Sequence, residues 1–280
     1  MKSALVTVQA NTPVAANYFL LSFSDPDLSG TARPGQFLMV SLPWSSDPFL
    51  ARPFALFDVL EDGGVQILYK KVGKGTAALS RVRQGDELRV VGPLGRGFAL
   101  LEGTDNAVMV AGGTGIASVH LLLKVCLERG VRSTLFYGAR TGSELVGLGR
   151  LESMGLRVYA ATEDGTVGHK GLVSDLLASA LAAGGWQAGA RTTLAFVCGP
   201  FAMMEAVAGV LRRWGIPGQF SLESVMACGY GVCQGCVVET PGHRGHDAGP
   251  EYIRVCTEGP VFSLEEILWS GGGALRGQDR

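Results

Sequence analysis

Short runs in which apolar and polar residues alternate fill the first third of the chain. They are Leu5–Val8, Tyr18–Phe23, Gln36–Leu42, Phe54–Leu60, Val65–Lys70 and Glu87–Val91. A period of two puts every second side chain on one face, which is the pattern of a half-buried strand. Turn-forming groups separate the runs: Asp25-Pro26, Arg33-Pro34-Gly35, Asp62-Gly63-Gly64, Gln84-Gly85-Asp86 and Gly92-Pro93. Strands at this spacing predict an antiparallel barrel or sandwich over residues 1–102.

Beyond residue 102 the rhythm changes. Val108–Ala111 reads as a short buried strand, then Gly112-Gly113-Thr114-Gly115, then a helical pattern over Ile116–Glu128. Strand-like Ser133–Tyr137, Arg157–Ala161 and Thr193–Val197 alternate with helical Val173–Ala182 and Met203–Trp214. That alternation predicts an α/β domain, a parallel sheet covered by helices, over residues 103–218. Residues 219–262 form a small Cys-rich module. In the tail, residues 263–280, Ser263-Leu264-Glu265-Glu266 has the form of a capping box, so a short helix with an apolar face is expected before a Gly-rich end.

Composition narrows the class. Apolar residues make up 47% of the chain and the net charge is −1, which excludes a disordered chain and gives no electrostatic reason to expect nucleic acid. The longest uncharged stretch, Asn106–Leu123, contains Gly112, Gly113, Gly115 and His120, and reads as strand, loop and helix rather than a membrane span. The N-terminus lacks the continuous apolar core of an export signal. With six cysteines in 280 residues there is no disulfide scaffold, and a reducing cytoplasm is the expected location.

Four cysteines carry the sharpest chemical signal. Cys228, Cys233, Cys236 and Cys256 follow C-x4-C-x2-C and then C, the plant-type [2Fe–2S] spacing. Gly229, Gly231 and Gly235 interleave them and let backbone N–H groups curl toward the sulfurs. A structural zinc site, the alternative, usually shows two separated C-x2-C pairs, and a zinc-stabilised binding protein without redox work stays open. His243 and His246 read as loop residues, because four thiolates are already present. Cys126 reads as a small core residue, and Cys198 opens a Cys198-Gly199-Pro200 strand-to-helix turn.

Other segments are weak signals one at a time. The Gly112–Gly115 loop could admit a pyrophosphate at a helix N-terminus or be an ordinary tight turn. Arg52, before Pro53, Phe54 and Ala55, could pair with a phosphate or be solvated. Leu68, Tyr69, Lys70 and Lys71, then Gly73-Lys74-Gly75-Thr76, offer an aromatic face, cations and a small-residue loop. Their order along the chain raises them together, with Gly92-Pro93-Leu94-Gly95-Arg96-Gly97 between. In this order the chain resembles the ferredoxin–NADP reductase superfamily and, within it, is similar to the electron-transfer subunits of type B dihydroorotate dehydrogenases.

The resemblance covers roughly residues 1–262 and implies an FAD-binding β-barrel, an NAD-binding α/β domain and a [2Fe–2S] module. It implies one FAD per chain, contacted by Arg52, Pro53, Phe54 and Ala55, by Leu68, Tyr69, Lys70 and Lys71, and by Gly75 and Thr76. It implies NAD as co-substrate between Gly112, Gly113, Thr114, Gly115 and Cys198, Gly199, Pro200. Cys228, Cys233, Cys236 and Cys256 carry over as cluster ligands. It also implies an FMN-containing catalytic partner that oxidises dihydroorotate in pyrimidine biosynthesis, in a heterotetramer of two of each subunit. Alternative complexes with the same modules are a sulfur reductase, a hydrogenase or a transhydrogenase. Ala55 departs from the family, which usually places a Ser or Thr hydroxyl there. No catalytic acid–base pair is expected, since hydride and electron transfer need none. Arg140 would favour a 2′-phosphate, whereas Glu163 and Asp164 would favour the free ribose hydroxyl of NAD.

Overall fold

A computed structural model describes residues 1–184, 192–241 and 251–269. The alternating segments form β1 (Lys2–Ala15), β2 (Tyr18–Ser24), β3 (Phe37–Ser41), β4 (Arg52–Ala55), β5 (Asp58–Val59), β6 (Gly64–Lys70) and β7 (Glu87–Leu94). Helix α1 (Pro26–Thr31) links β2 to β3, and α2 (Lys74–Leu79) links β6 to β7. The strands make one antiparallel sheet in the order β4-β3-β7-β1-β2-β6-β5. Their alternation buries Val6, Leu21, Phe23, Leu38, Ile67 and Leu88 in a common core.

The run Phe54–Leu60, expected as one strand, divides at Leu56-Phe57. Leu56 N–H donates to the Gln36 carbonyl beside β3, and Phe57 N–H donates to the Gln66 carbonyl of β6. The chain therefore steps from one end of the sheet to the other, and that step curls the sheet. Phe54 of β4 meets Tyr69 of β6 edge-on, with ring centroids 5.7 Å apart, across the curl.

The second sheet is built by β8 (Thr104–Gly112), α3 (Ile116–Glu128), β9 (Arg132–Ala139), α4 (Leu148–Ser153), β10 (Arg157–Thr162), β11 (His169–Lys170), α5 (Val173–Ala182), β12 (Thr192–Cys198), α6 (Phe201–Trp214) and β13 (Gly218–Ser221). These strands run parallel, in the order β11-β10-β9-β8-β12-β13. Ala107–Ala111 of β8 are buried on both faces, as a central parallel strand requires. Helices α3 and α4 share one apolar cluster and α5 and α6 the other. The order reverses between β8 and β12, so a crevice opens at their carboxyl ends. No helix among the described residues is long and apolar enough to cross a membrane.

After β13 the chain makes the cysteine loop, then the hairpin β14 (Val237–Thr240) and β15 (Glu251–Arg254), then β16 (Val261–Ser263). Strand β16 pairs antiparallel with β13, so this segment returns to the edge of the parallel sheet. His243 and His246 lie outside the described residues. The helix expected from Ser263 does not form. Glu266 accepts the Ser263 N–H at 2.6 Å, which is half of a capping box. Ser263 stays in register with Gln219, and the Trp269 indole N–H donates to the Leu264 carbonyl, so a turn replaces the helix. Leu264, Ile267 and Trp269 pack into the core beside Phe220, and this part of the tail lies on its own body.

Helix α3 also docks on the curled sheet. Leu121 is buried in that sheet's core, worth about 1.5–3 kcal/mol of apolar burial. Beside it, the His120 ring stacks on Phe57 at 4.1 Å. Burial brings the His120 pKa from 6.5 down to about 4, with Asp58 pulling upward and Arg150 and Lys124 downward. The unfolded chain thus takes up a proton below pH 6.5 that the native state refuses until about 4. Stability is complete above 6.5 and falls as pH drops through that window, by about 3 kcal/mol at its foot. A series of urea midpoints between pH 7 and 4.5 will show this decline, and His120→Gln will flatten it.

Candidate functional site

Three groups of side chains and backbone make up the candidate site. The first lies on the curled sheet. Arg52 stretches over Gly75, where a Cβ would meet its Nε at 2.8 Å, so a larger residue would push the guanidinium aside. The guanidinium donates to the Leu50 carbonyl at 2.6 Å. Arg52 and Gly75 line a shallow cleft together with Val40, Leu42, Pro48, Leu50, Phe54 and Leu79. Thr76 Oγ1 accepts N–H groups of Val72 and Gly73 and closes the loop ahead of α2. A cation laid over glycine backbone beside an apolar slot fits a phosphate-linked aromatic group such as FAD.

The structure brings Arg52, Phe54 and Gly75 together and sends their predicted neighbours elsewhere. Tyr69 is 2% exposed, its ring faces the sheet's core, and its hydroxyl donates to Asn11. Burial raises its pKa to about 12. Leu68 packs in the apolar cluster shared with α3, and Ala55 lies against that cluster. Lys70 pairs with Glu144 at 2.5 Å and lies over the Tyr18 ring. Pro53 is paired opposite Met39 in the ladder. Lys71 lines a separate groove with Ser80 and Arg81.

The second group fills the crevice between β8 and β12. Gly112 ends β8, Gly113-Thr114-Gly115 make a single tight turn, and α3 begins at Ile116. A Cβ on Gly115 would lie 2.2 Å from the Cys198 carbonyl oxygen, and one on Gly199 would lie 3.0 Å from the Gly112 nitrogen. The two loops touch backbone to backbone, with Pro200 and Met203 against Gly112. Such an approach leaves amide groups facing a ligand at the start of a 13-residue helix. Burial pushes the Cys198 thiol up to about 12, with Glu223 adding and the hydroxyls of Ser118 and Ser221 opposing. Cys126, also buried, is pushed up to about 11. On the outer rim, Asp164 N–H donates to the Arg140 carbonyl, and the Asp164 carboxylate accepts both the N–H and the hydroxyl of Thr166.

The third group is the cysteine loop. It rests on the curled sheet, because a Cβ on Gly229 (φ +84°) would strike Met39 Cγ at 2.4 Å. Cys228 and Cys233 hold their sulfurs 3.4 Å apart. Cys236 accepts the Cys256 N–H on its sulfur at 3.4 Å. Among the described residues no three His, Cys, Asp or Glu side chains converge on one centre. The thiols stand as two pairs, the donor set of a binuclear cluster in which each iron takes two thiolates. Burial opposes ionisation of Cys228, yet backbone N–H groups of Cys233, Tyr230 and Val232 bring its pKa down to about 6. Those N–H groups favour the thiolate at Cys228. Burial, with Cys236 next to it, pushes Cys256 up to about 12. Arg254 braces the site by gripping Glu258 at 2.6 Å and donating to the Gly231 carbonyl at 3.3 Å. Cys236 and Cys256 are buried, while Cys233 is exposed.

Several participants were not visible in the sequence. Glu144 meets Lys70 and Asp58 meets Lys124 across 74 and 66 residues. No local pattern pairs residues so far apart. Pro48 and Leu50, which line the cleft with Arg52, carry no local signal in the sequence.

A curled antiparallel sheet, a parallel sheet with a glycine crevice and a four-cysteine module define a ferredoxin-reductase-like oxidoreductase with an iron–sulfur module. The model of the iron–sulfur cluster binding domain of dihydroorotate dehydrogenase B matches residues 223–268, and that of the oxidoreductase NAD-binding domain matches residues 109–209. The chain is 35% identical over 257 residues to a dihydroorotate dehydrogenase B (NAD(+)) electron transfer subunit from Desulforamulus reducens, covering 91% of this chain and 94% of the relative. The Geobacillus thermodenitrificans protein of the same name is 32% identical, covering 94% and 97%. Among solved structures, one described as the NADH-dependent reduced ferredoxin-NADP oxidoreductase superimposes with TM-score 0.80 at 30% identity, covering 95% of this chain and 90% of that one. A ferredoxin NADP+ reductase from Neisseria gonorrhoeae, at TM-score 0.66 and 19% identity over 77% of this chain and 92% of that one, shares the fold. The chain belongs to the family of dihydroorotate dehydrogenase B electron-transfer subunits.

Gly115→Ala tests the crevice. The added methyl must separate the two loops, so NADH affinity should fall by about tenfold or more, as when one fixed contact is lost. Titration of NADH onto the purified protein measures it, with flavin content and cluster signal unchanged.

Proposed function

We propose that this chain is the electron-transfer subunit of an NAD-linked dihydroorotate dehydrogenase, joining an FMN-containing catalytic partner to NAD+ by way of a [2Fe–2S] cluster and FAD. The observation that carries the reading is the paired arrangement of Cys228 with Cys233 and of Cys236 with Cys256, at one end of a flavin-reductase fold. When bound, the flavin supplies the exchange between the electron pair of a hydride and the single electrons of an iron–sulfur centre.

The chain's own residues bind and orient. Arg52 and the Gly73–Thr76 loop would hold the flavin diphosphate, with Phe54 beside them for the ring system. The Gly112–Gly115 and Cys198–Pro200 loops hold the NAD pyrophosphate. Arg140 offers its carbonyl to the Asp164 N–H, and the rim it shares with Glu163 and Asp164 suits a free ribose hydroxyl, which favours NAD over NADP. Cys233 stands at the surface, fringed by Val225, Tyr230 and Val232, all exposed. An exposed apolar rim beside a redox centre suits a partner's docking face. The complex in this reading is a cytoplasmic heterotetramer, two of each subunit, serving pyrimidine biosynthesis.

A second reading keeps the modules and changes the partner to that of a transhydrogenase-type complex. It draws on the 0.80 superposition with the NADH-dependent reduced ferredoxin-NADP oxidoreductase. Purification with its native partner separates the two: dihydroorotate-dependent NAD+ reduction supports the first, and its absence alongside NADPH turnover supports the second.

Anaerobically purified protein should contain about two irons and two labile sulfides per chain, the content of one [2Fe–2S] cluster. It should also show a flavin absorption band and NADH–dye reductase activity. Cys256→Ser should abolish the cluster's EPR signal while the flavin band remains. A colourless, zinc-containing protein would overturn the proposal.

A further inference from the structure

The corner Phe57-Asp58-Val59 follows directly from the flavin strand β4, two residues past Ala55. It grips helix α3, whose first turn carries the Gly112–Gly115 loop. Four contacts make the grip. Lys124 Nζ binds Asp58 Oδ1 at 2.5 Å and the Val59 carbonyl at 3.0 Å. The His120 ring stacks on Phe57 at 4.1 Å and 24°. His120 Nδ1 faces Asp58 Oδ2 at 4.0 Å. Leu121, next along the helix, buries its side chain in the core of the curled sheet.

Two features set this apart from a routine ion pair. Asp58 is 1% and His120 3% exposed, and both Asp58 Oδ2 and His120 Nδ1 are buried without a hydrogen-bond partner. Orphaned buried polar atoms destabilise a fold, a cost that apolar residues at both positions would avoid. The carboxylate also spends one oxygen on its neighbour, accepting the Val59 N–H at 2.8 Å, which fixes its rotamer. A rigid, costly polar contact therefore joins β5, which the chain enters directly after the strand assigned to flavin, to the helix assigned to NAD.

We propose that Asp58, with Lys124 and His120, is a positioning element that sets the separation of the dinucleotide loop from the flavin strand. Its residues belong to neither of the loops assigned to the cofactors. It acts through α3, so that the Gly112–Gly115 amides face the strand at one distance. The proposal rests on the assignment of NAD to that loop and of flavin to β4.

The test uses Asp58→Asn and Lys124→Met in the complete protein with its cofactors, and Lys124→Arg as the conservative variant. Lys124 is partly exposed, so Lys124→Met tests the idea even where Asp58→Asn folds poorly. Stopped-flow flavin reduction by NADH should slow by about tenfold or more in both variants, since a sub-ångström misplacement of reacting groups costs rate steeply. The NADH dissociation constant and the flavin content should change by less than about twofold, well inside the tenfold that one lost contact brings. Lys124→Arg should restore most of the rate. Amide hydrogen exchange at residues 113–117 should quicken in Asp58→Asn, a readout independent of NADH chemistry. Variants that melt earlier yet keep wild-type reduction rates and wild-type exchange at 113–117 would overturn the proposal. A wild-type protein that takes no hydride from NADH would overturn the functional reading instead, and exchange at 113–117 would still decide the clamp.

Discussion

Apolar side chains that cross the boundaries between modules are the constraint on which this molecule depends. Phe37, Met39 and Leu94 of the curled sheet share one buried cluster with Phe220 of the parallel sheet and with Cys236, Val255 and Cys256 of the cysteine module. A second cluster joins Tyr18 and Leu68 to α3 and to Phe196. Groups that exchange electrons work only at fixed separations, and close-packed interiors resist small displacements. Met39 concentrates the point. It lies in the strand opposite Pro53 and presses on Gly229 from below, so it belongs to the flavin side and the iron side together.

Much of the architecture was legible in the sequence because local patterns determine it. Helices α3 and α5 occupy the residues their periodicity predicted, and the first six strand runs each contain a strand. The split of Phe54–Leu60 was not legible, because the two hydrogen bonds that divide it reach Gln36 and Gln66, partners that only the tertiary fold supplies. The missing tail helix has the same cause. Ser263 and Glu266 satisfy the local motif, but pairing with Gln219 and burial of Trp269 outweigh it. The chain beyond residue 218 still belongs partly to the parallel sheet, since β13 completes it and β16 pairs with that edge.

The candidate site was legible where backbone geometry demands a residue type. Gly75, Gly115 and Gly229 each sit where a Cβ would meet a neighbour, and each belongs to a glycine-rich segment that the sequence marks as a tight loop. It was less legible where a strand's two faces had to be told apart. Leu68, Tyr69 and Lys70 are consecutive, so they cannot all face one ligand. Tyr69 turned inward, to a hydroxyl bond with Asn11, which itself holds the carbonyls of Leu79 and Val82.

The burial of Cys126 and Cys198 has a consequence for survival. A reduced flavin exposed to air releases peroxide, and peroxide attacks the thiolate rather than the thiol. Both side chains are sealed in the interior, with pKa values raised to about 11 and about 12. Each therefore keeps its proton at neutral pH. The molecule carries two spare sulfurs in its interior and leaves neither in the form that such an oxidant consumes.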